Sequence, residues 1–471
     1  MTSNRPFDES SSNLSRTEEE PACSQAEPQR RQSVSAAREK PALNMTSDNE
    51  LIERIVDQAN FEIAWKKVKA NRGAPGPDGV TLDEFFESFR HHWPLLRQQL
   101  LDGTYRPGPA RRKSIPKPDG GMRHLGIPNV VDRVIQQAIL QVLTPIFDPG
   151  FSESSFGFRP NRSAHDAVKQ IQQHIRAGHR HCVDMDLSKF FDRVQHDVLM
   201  VRVSRKVDDK RLLRLIGRYL RAGVLVDTDL QPSTEGTMQG GPLSPLLANI
   251  LLDDFDKELE SRGLRFVRYA DDFLVFTKTS KAATRVFDSV ERYLTRKLKL
   301  VVNRQKSSTR GTDGVEFLGF VFEGSGGKIR VSKKNLAKFK ARVREITGRS
   351  RGVSFTRRCT ELRRYFNGWV GYFGLVPKQS TFLMLDQWIR RRVRMGIWKG
   401  WRRIRTRIAS LMRLGVSKHK AHSHGMSSKG PWTLSLSEAV HCALPNAYLE
   451  ERGLPSLLSI WRQFPAERRI A

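Results

Sequence analysis

The chain has 471 residues, more than one hydrophobic core usually supports, so we expect two or three domains. Lys and Arg number 81 against 50 Asp and Glu, and this net charge of +31 predicts a polyanionic partner. The four cysteines have no C-x-x-C spacing, which argues against a disulfide framework and a structural zinc module. No apolar run of 18 residues and no amphipathic anchor occurs, so we expect no membrane partner.

The first two thirds of the chain divide into a polar leader and a mixed region. Residues 1–44 lack periodicity and are predicted to be a disordered leader. Apolar residues at helical spacing from Leu51 to Val68 predict one helix, which the Gly- and Pro-rich segment Asn71–Gly79 ends. Farther on, helical runs such as Val130–Leu143 and Ala164–Arg176 alternate with short strands, which predicts an α+β region from 45 to 325.

The last third is predicted to be helical and strongly basic. It begins after the GSGG stretch Gly324–Gly327, a predicted seam between domains. Residues 328–420 contain 27 Lys and Arg but only three acids, so the polyanion is expected to bind mainly here. We place a helical domain at 326–400 and a small basic segment at 401–471.

An acidic turn is the first candidate site. The segment Val267–Phe276 predicts two apolar strands with Asp271 and Asp272 at the turn between them. A tight hairpin favours Asn-Gly or Asp-Gly, and adjacent carboxylates repel, so this pair is a poor choice for a purely structural turn. Divalent cations would explain it, because Mg²⁺ prefers oxygen ligands. Taken alone, the pair fits a solvated acidic turn equally well.

A second acidic strand changes that balance. In Cys182–Asp192 the alternation places Asp184 and Asp186 on one face of a strand. A buried strand that carries a carboxylate needs a partner for it. If Asp186 lies beside Asp271 and Asp272, three carboxylates converge on two cations, the arrangement used for in-line phosphoryl transfer.

With these motifs, the chain resembles the group II intron-encoded reverse transcriptases and maturases, most closely the compact bacterial class C group. The resemblance runs from about Leu51 to Trp461. It implies an α+β right-hand polymerase, with fingers and an antiparallel palm sheet over 45–325. An all-α basic thumb, or maturase domain X, would follow over 326–400, and a small DNA-binding segment over 401–471.

The resemblance also implies roles for individual residues. The expected catalytic ligands of two Mg²⁺ ions are Asp186, Asp271 and Asp272, whereas Asp184 lies outside that set. The residues expected to contact the incoming dNTP are Lys117, Arg123, Phe191, Gln239 and Lys306. The residues expected to contact template or intron RNA are Arg159, Arg162, Gly240, Gly241, Arg391, Arg392, Arg402, Arg403 and Arg405.

Several of these assignments also have a physical basis in the residues themselves. Lys117 and Arg123 flank a Pro-Gly turn, and a hairpin that presents two cations can clamp a triphosphate. Phe191 matches the steric gate that excludes a ribose 2′-hydroxyl, although a core aromatic is the alternative and Phe190 fits that role. Gly240 and Gly241 remove side chains where something approaches the backbone closely.

The basic third supplies further expectations. From Arg391 to Arg407 there are eight Arg and Lys and no acid, which on one helix predicts phosphate recognition around the axis. Trp369 and Trp388 are predicted to pack in the core. The histidines near the C-terminus lack metal-site spacing, so we expect them on a flexible surface loop and expect no nuclease module.

The expected function is RNA-directed DNA synthesis coupled to splicing of the encoding intron, with retromobility by target-primed reverse transcription. The expected partners are intron RNA, an RNA template with a DNA primer, target DNA and dNTPs, with a monomer in a ribonucleoprotein favoured in the bacterial cytoplasm. Alternatives are a retron-like or DNA-repair reverse transcriptase without a splicing role, and a splicing-only maturase. An RNA-dependent RNA polymerase is disfavoured by Phe191.

Overall fold

The computed structural model describes residues 50–116, 120–227, 229–348 and 351–465; the predicted leader and Lys117 lie outside the described residues. The helices in the described part are α1 (Leu51–Ile55), α2 (Gln58–Ala70), α3 (Leu82–Leu101), α4 (Val130–Phe147), α5 (Ala164–Arg176), α6 (His196–Val203), α7 (Lys210–Arg221), α8 (Ser244–Ser261), α9 (Ser280–Lys297), α10 (Lys333–Ile346), α11 (Phe355–Phe373), α12 (Gln379–Gly400), α13 (Ile404–Arg413), α14 (Lys418–Gly425), α15 (Pro431–Leu434), α16 (Glu438–Ala443), α17 (Asn446–Glu451) and α18 (Leu457–Gln463). The strands in the same ranges are β1 (Ala110–Pro116), β2 (Met122–Ile127), β3 (His181–Met185), β4 (Val224–Val226), β5 (Asp229–Gln231), β6 (Arg265–Tyr269), β7 (Asp272–Thr277), β8 (Ser308–Gly311), β9 (Glu316–Phe317), β10 (Phe320–Glu323) and β11 (Lys328–Val331).

The predicted single helix at the start of the fold is wrong, because the structure has two helices there. Asp57 is extended and its carboxylate accepts hydrogen bonds from the backbone N–H groups of Ala59 and Asn60, so α2 begins anew after α1. Such a cap satisfies donors that a helix start leaves without partners. Because of this break, the apolar face predicted for one continuous helix does not continue from α1 into α2, and Ile63 is 48% exposed instead of facing the core.

The other two predicted helices are confirmed. The α5 helix spans the predicted residues, with Ser163 and Asp166 forming a reciprocal capping box at its start. The α4 helix extends to Phe147, four residues beyond the prediction. The segment Val130–Gly150 is long and apolar enough to cross a membrane by composition, but 67% of that window is buried inside the protein, as in the core helix of a soluble domain.

Three sheets organise the described strands. The sheet that we call the acidic sheet has the order β6-β7-β3-β8 and is antiparallel throughout. A second sheet, β2-β1-β4-β5, joins a hairpin to a short parallel strand, and the third is β11-β10-β9. The GSGG stretch forms the turn between β10 and β11.

The acidic sheet lies between two apolar cores. One face carries Val183 and Val275, which belong to a core that also contains α4 and α8. The other face carries Val267 and Leu274, which pack in a second core with α10, α11, α12 and α18. A third core gathers Trp398 with α13, α14 and α16. Packing on both faces fixes the sheet that bears the carboxylates.

The basic third differs from the prediction in two places. The expected continuous helix is interrupted, since α12 ends at Gly400 and α13 begins at Ile404. The expected histidine loop is wrong, because α14 and α16 contain the histidines of this region. Trp369 is buried, as predicted, whereas Trp388 is half-buried with the cations of α10 and α12 around its ring. The predicted domain boundaries stay predictions.

Candidate active site

Strand pairing brings the three predicted carboxylates to one end of the acidic sheet. In the β6–β7 hairpin Tyr269 pairs with Asp272, so Ala270 and Asp271 form the turn. Strand β3 pairs with β7, and their last pair is Met185 with Phe273. The residue that directly follows β3 therefore lies beside Asp272. That next residue is Asp186. The antiparallel register therefore gathers carboxylates that are some 85 positions apart in the sequence.

The carboxylates line a cavity of about 690 Å³ together with most of the predicted nucleotide-binding residues. Its lining includes Asp186, Asp271, Asp272, Arg123, Phe191, Gln239 and Lys306. The β1–β2 hairpin, the segment after β3, the loop before α8 and the segment after α9 each contribute to the wall. Every predicted dNTP contact that falls in the described residues is thus at one cavity, although their roles stay predictions.

Burial and mutual repulsion dominate the electrostatics of this cavity. Burial raises the pKa of Asp271, and burial together with repulsion from Asp271, Asp186 and Asp184 raises the pKa of Asp272 to about 6. Neighbouring carboxylates that repel one another favour a bound cation, which neutralises them. Asp184 differs, since it forms an ion pair with Arg310 at 2.6 Å. The donor set therefore fits a hard cation.

The described side chains do not by themselves complete a coordination shell. In residues 50–116, 120–227, 229–348 and 351–465, no group of three His, Cys, Asp or Glu side chains is gathered closely enough to hold an ion alone. Mg²⁺ commonly retains waters and takes phosphate oxygens as further ligands, so one or two carboxylates per ion suffice.

Two residues that the sequence reasoning missed hold Asp186 in place. The Asn303 side chain donates to the Asp186 carboxylate at 3.1 Å, and the Asn303 backbone N–H donates to the Asp186 carbonyl at 2.8 Å. The Ser307 hydroxyl accepts from the Asp186 N–H at 3.1 Å. The segment that contains both residues ends with β8 on the outer edge of the sheet. Their pairing depends on tertiary contact and leaves no periodic signal in the sequence.

The two adjacent phenylalanines occupy different environments. Phe190 is 3% exposed and belongs to the core, whereas Phe191 is half-buried, and both residues contribute to the wall of the cavity. Their rings meet edge to face with centroids 5.1 Å apart. The Phe191 carbonyl accepts a hydrogen bond from the Thr237 N–H at 2.7 Å, which ties this segment to the loop before α8. Phe190 is thus a core ring, as predicted, and the gate role of Phe191 stays a prediction.

The glycines of that loop are required by contacts within the protein. Gly240 has φ +129°, and a Cβ there would lie 2.4 Å from the Gly126 carbonyl oxygen of β2. A Cβ on Gly241 would lie 2.5 Å from the Gln136 amide oxygen of α4. The Gly126 N–H also donates to the Gln239 carbonyl at 2.9 Å. What approaches these glycines is therefore β2 and α4, and their predicted template contact is not needed to explain them.

Arg159 requires a correction. It is buried, and its guanidinium donates to the Asp148 carboxylate at 2.8 Å and to backbone carbonyls of Asp148, Ser152 and Ser155. These bonds commit it to its own loop, so it serves that loop instead of the predicted template contact. Arg162 likewise pairs with Glu153.

The predicted RNA-binding arginines of the basic third fall into two groups. Arg391 stacks on Trp432 with 3.8 Å between guanidinium carbon and ring centroid, and Arg392 donates to the Thr347 hydroxyl at 3.1 Å. The other group, Arg402, Arg403 and Arg405, is exposed around the start of α13. The exposed group is therefore the better placed of the two to meet a phosphate backbone.

Comparison with known proteins agrees with this site. Residues 115–322 match the family described as reverse transcriptase (RNA-dependent DNA polymerase), and residues 336–415 match the group II intron maturase-specific domain. Protein YkfC of Escherichia coli is 34% identical over 291 residues, which are 53% of this chain and 76% of that protein. The group II intron-encoded protein LtrA of Lactococcus lactis is 29% identical over 354 residues, 61% of this chain and 57% of LtrA.

Solved structures to which this chain is similar overlap it in part. A telomerase from Candida tropicalis in complex with a fragment of telomeric RNA has a TM-score of 0.40 and 14% identity, covering 79% of this chain and 68% of that one. A partial Cas6-RT-Cas1–Cas2 complex has a TM-score of 0.34 and 25% identity, covering 52% of this chain and 42% of that one.

The antiparallel acidic sheet and the matched domain over 115–322 define a polymerase of the reverse transcriptase class. With the maturase-specific domain and its relatives, the chain belongs to the group II intron-encoded reverse transcriptases that carry a maturase domain. The family and the α+β fold predicted from the sequence are confirmed.

Proposed function

We propose that this protein synthesises DNA on an RNA template by two-metal phosphoryl transfer and assists the splicing of its intron RNA. The observation that carries the proposal is the single cavity that unites Asp186, Asp271 and Asp272 with Phe191 and Gln239. Three carboxylates on an antiparallel sheet, beside a ring and an amide, suit a site that takes a metal-bound nucleoside triphosphate.

In this proposal Asp186, Asp271 and Asp272 hold two Mg²⁺ ions. When bound, such ions activate the primer 3′-hydroxyl and neutralise charge on the leaving pyrophosphate. The half-buried ring of Phe191 occupies space where a ribose 2′-hydroxyl would sit, which selects dNTPs. Arg123, on the exposed strand β2, is available to donate to the triphosphate in a charge-assisted hydrogen bond.

In this proposal the basic last third of the chain binds the RNA. The matched maturase-specific domain includes the exposed arginines at the start of α13, and the relative LtrA is named as a group II intron-encoded protein. An exposed cluster of arginines without acidic neighbours attracts the phosphate backbone. We therefore propose intron RNA, an RNA template with a DNA primer, and target DNA as partners, in the bacterial cytoplasm, with target-primed reverse transcription as the route of retromobility.

Replacing both Asp271 and Asp272 with Ala tests the polymerase. We expect dNTP incorporation on an RNA template to fall to background, because both carboxylates of the turn are lost, while assisted splicing of the intron RNA continues. The measurement is incorporation of labelled dNTP in parallel with a splicing assay on the same preparation.

The matched control is Asp184→Asn. This carboxylate lies in β3, next to β7 in the acidic sheet, but is paired with Arg310, outside the proposed set of ligands. D184N should keep most of the incorporation. If the double variant still incorporates dNTPs at the wild-type rate, the proposed metal site is wrong.

A further inference from the structure

A fully buried arginine lies directly beneath the acidic turn. Arg268, in β6, is 0% exposed, and its Nε donates to the Asp256 carboxylate of α8 at 2.8 Å. Asp256 is also fully buried. Withdrawing both charges from water is expensive, and well-packed apolar residues often serve stability as well or better. The pair therefore suggests a role beyond stability.

A second nitrogen of the Arg268 guanidinium connects α8 to the acidic turn. One terminal nitrogen, Nη1, donates both to the Asn249 amide oxygen of α8 at 2.9 Å and to the Ala270 carbonyl at 3.0 Å. Ala270 is the first residue of the turn, and its φ of +59° is unusual for a residue with a side chain. A strained backbone persists where surrounding contacts hold it. Here Arg268 supplies one of those contacts from a rigid helix.

The loop that contains Ser154 and Gly157 is hydrogen-bonded to Arg268 and Asn249. The Asn249 amide group donates to the Gly157 carbonyl at 2.9 Å, and the Arg268 N–H donates to the Ser154 carbonyl at 2.9 Å. The Gly157 backbone lies so close that a Cβ there would be 2.3 Å from the Ala270 nitrogen. The turn is thus confined between α8 on one side and the loop around Gly157 on the other.

We propose that Arg268 is a positioning residue for the acidic turn: its bond to the Ala270 carbonyl, anchored on α8, holds Asp271 and Asp272 in place for two cations. This inference rests on the proposed two-metal function. Because α8 follows the loop that contains Gln239, the same helix connects a residue proposed to contact the nucleotide with the turn proposed to hold the cations. Residues that orient metal ligands in this way act on affinity and rate through the ligands.

Arginine is required for this role because of its shape. A guanidinium donates in several fixed directions, so it reaches Asp256, Asn249 and Ala270 at once. Lysine keeps the charge but is a point donor on a flexible stem. The substitution Arg268→Lys therefore retains a cation for Asp256 and releases the turn.

The matched control is Arg202→Lys. Arg202 pairs with Asp254 of the same helix α8 at 2.9 Å, and its Nη1 donates to the Val198 carbonyl of its own helix α6. We would measure Mn²⁺ binding from the loss of the free-ion electron paramagnetic resonance signal. The same proteins would be assayed for thermal midpoint, and for kcat and dNTP KM as a function of Mg²⁺ concentration.

We expect folded R268K to bind Mn²⁺ about tenfold more weakly or worse, in line with other residues that support metal ligands. Its kcat should fall more than its dNTP KM rises, and added Mg²⁺ should restore part of the rate. R202K should match the wild type in Mn²⁺ affinity and Mg²⁺ dependence even if its thermal midpoint falls. A purely structural role of Arg268 would move only the thermal midpoint.

If R268K does not fold, Asn249→Ala replaces it, because N249A retains the Arg268–Asp256 pair but removes the α8 amide that anchors the Arg268 Nη1 beside the Ala270 carbonyl and that binds the Gly157 carbonyl. A weakened Mn²⁺ affinity in folded N249A supports the proposal. Wild-type Mn²⁺ affinity and Mg²⁺ dependence in a folded R268K or N249A overturn it. Failure of the proposed function has a different signature: the Asp271 and Asp272 double Ala variant would then bind Mn²⁺ like the wild type.

Discussion

At the scale of single residues, side chains of the same type lie in different environments. Phe190 and Phe191 are adjacent and identical and both reach the cavity wall, yet Phe190 is buried in the core and Phe191 is half-buried. Arg159 and Arg402 both looked suited to nucleic acid from the sequence, yet only Arg402 is exposed. In both cases the residue type suggested a role, but the burial of the side chain decided whether it is available for that role.

Replacing Phe191 with Ala tests the gate. We expect the preference for dNTP over rNTP to fall by roughly 10- to 200-fold or more, since a single methylene group in an apolar pocket already produces that range. The ratio of kcat/KM for paired dNTP and rNTP substrates measures it. The control Phe190→Leu should lower the thermal midpoint without changing that ratio, and an equal loss of discrimination in both variants would contradict the gate.

At the scale of elements, the active site depends on how a few loops pack on their neighbours. The loop before α8 is held by Gly126 of β2, whose N–H binds the Gln239 carbonyl and whose own carbonyl faces Gly240. Met238 lies against Gly126 as well, since a Cβ on Gly126 would be 2.5 Å from the Met238 Cγ. Packing against β2 thus holds this loop in place.

Replacing Gly240 with Ala tests that packing. A positive φ alone destabilises a non-glycine residue by about 1–3 kcal/mol, and here the new Cβ also meets the backbone of Gly126. We expect a lower thermal midpoint and a higher KM for dNTP. The control Gly314→Ala has a positive φ but open space around the Cβ position, so it should lower only the midpoint. Unchanged dNTP KM in G240A would show that this contact does not position Gln239.

At the scale of the whole molecule, charge and catalysis occupy different parts of the chain. The carboxylates lie in the acidic sheet, and the exposed arginine cluster lies around α13. The net charge of +31 gives a long-range attraction for a polyanion, to which the exposed arginine cluster contributes outside the acidic sheet.

Replacing Arg402, Arg403 and Arg405 with Ala tests the RNA-binding surface. Each phosphate contact contributes about 0.7–0.9 to the slope of log K against log salt, so we expect weaker RNA binding and a slope reduced by about two to three. Equilibrium binding of intron RNA at several salt concentrations measures both. The control removes the same charge from exposed positions of α9, Arg285, Arg292 and Arg296. Equal losses in the two triple variants would indicate a nonspecific effect of net charge.

The sequence by itself determined the chemistry of the site. Carboxylates at the ends of two alternating strands, with a glutamine loop between them, predict where cations and nucleotide meet, because strand periodicity and ligand preference are local properties. The family and the mixed fold followed from the same motifs and are confirmed by the matched domains. Helices with strong caps and periodic apolar faces, such as α5, were also predicted correctly.

Tertiary structure alone decided which polar groups are buried and which partners they find. Arg268, Asn303 and Ser307 support the acidic residues through contacts across the fold, and Arg159 is taken up by its own loop. No local pattern encodes such pairings, since they depend on the register of strands and the packing of helices on them. The acidic turn is therefore readable from four consecutive residues, whereas the structure that holds it in place is not.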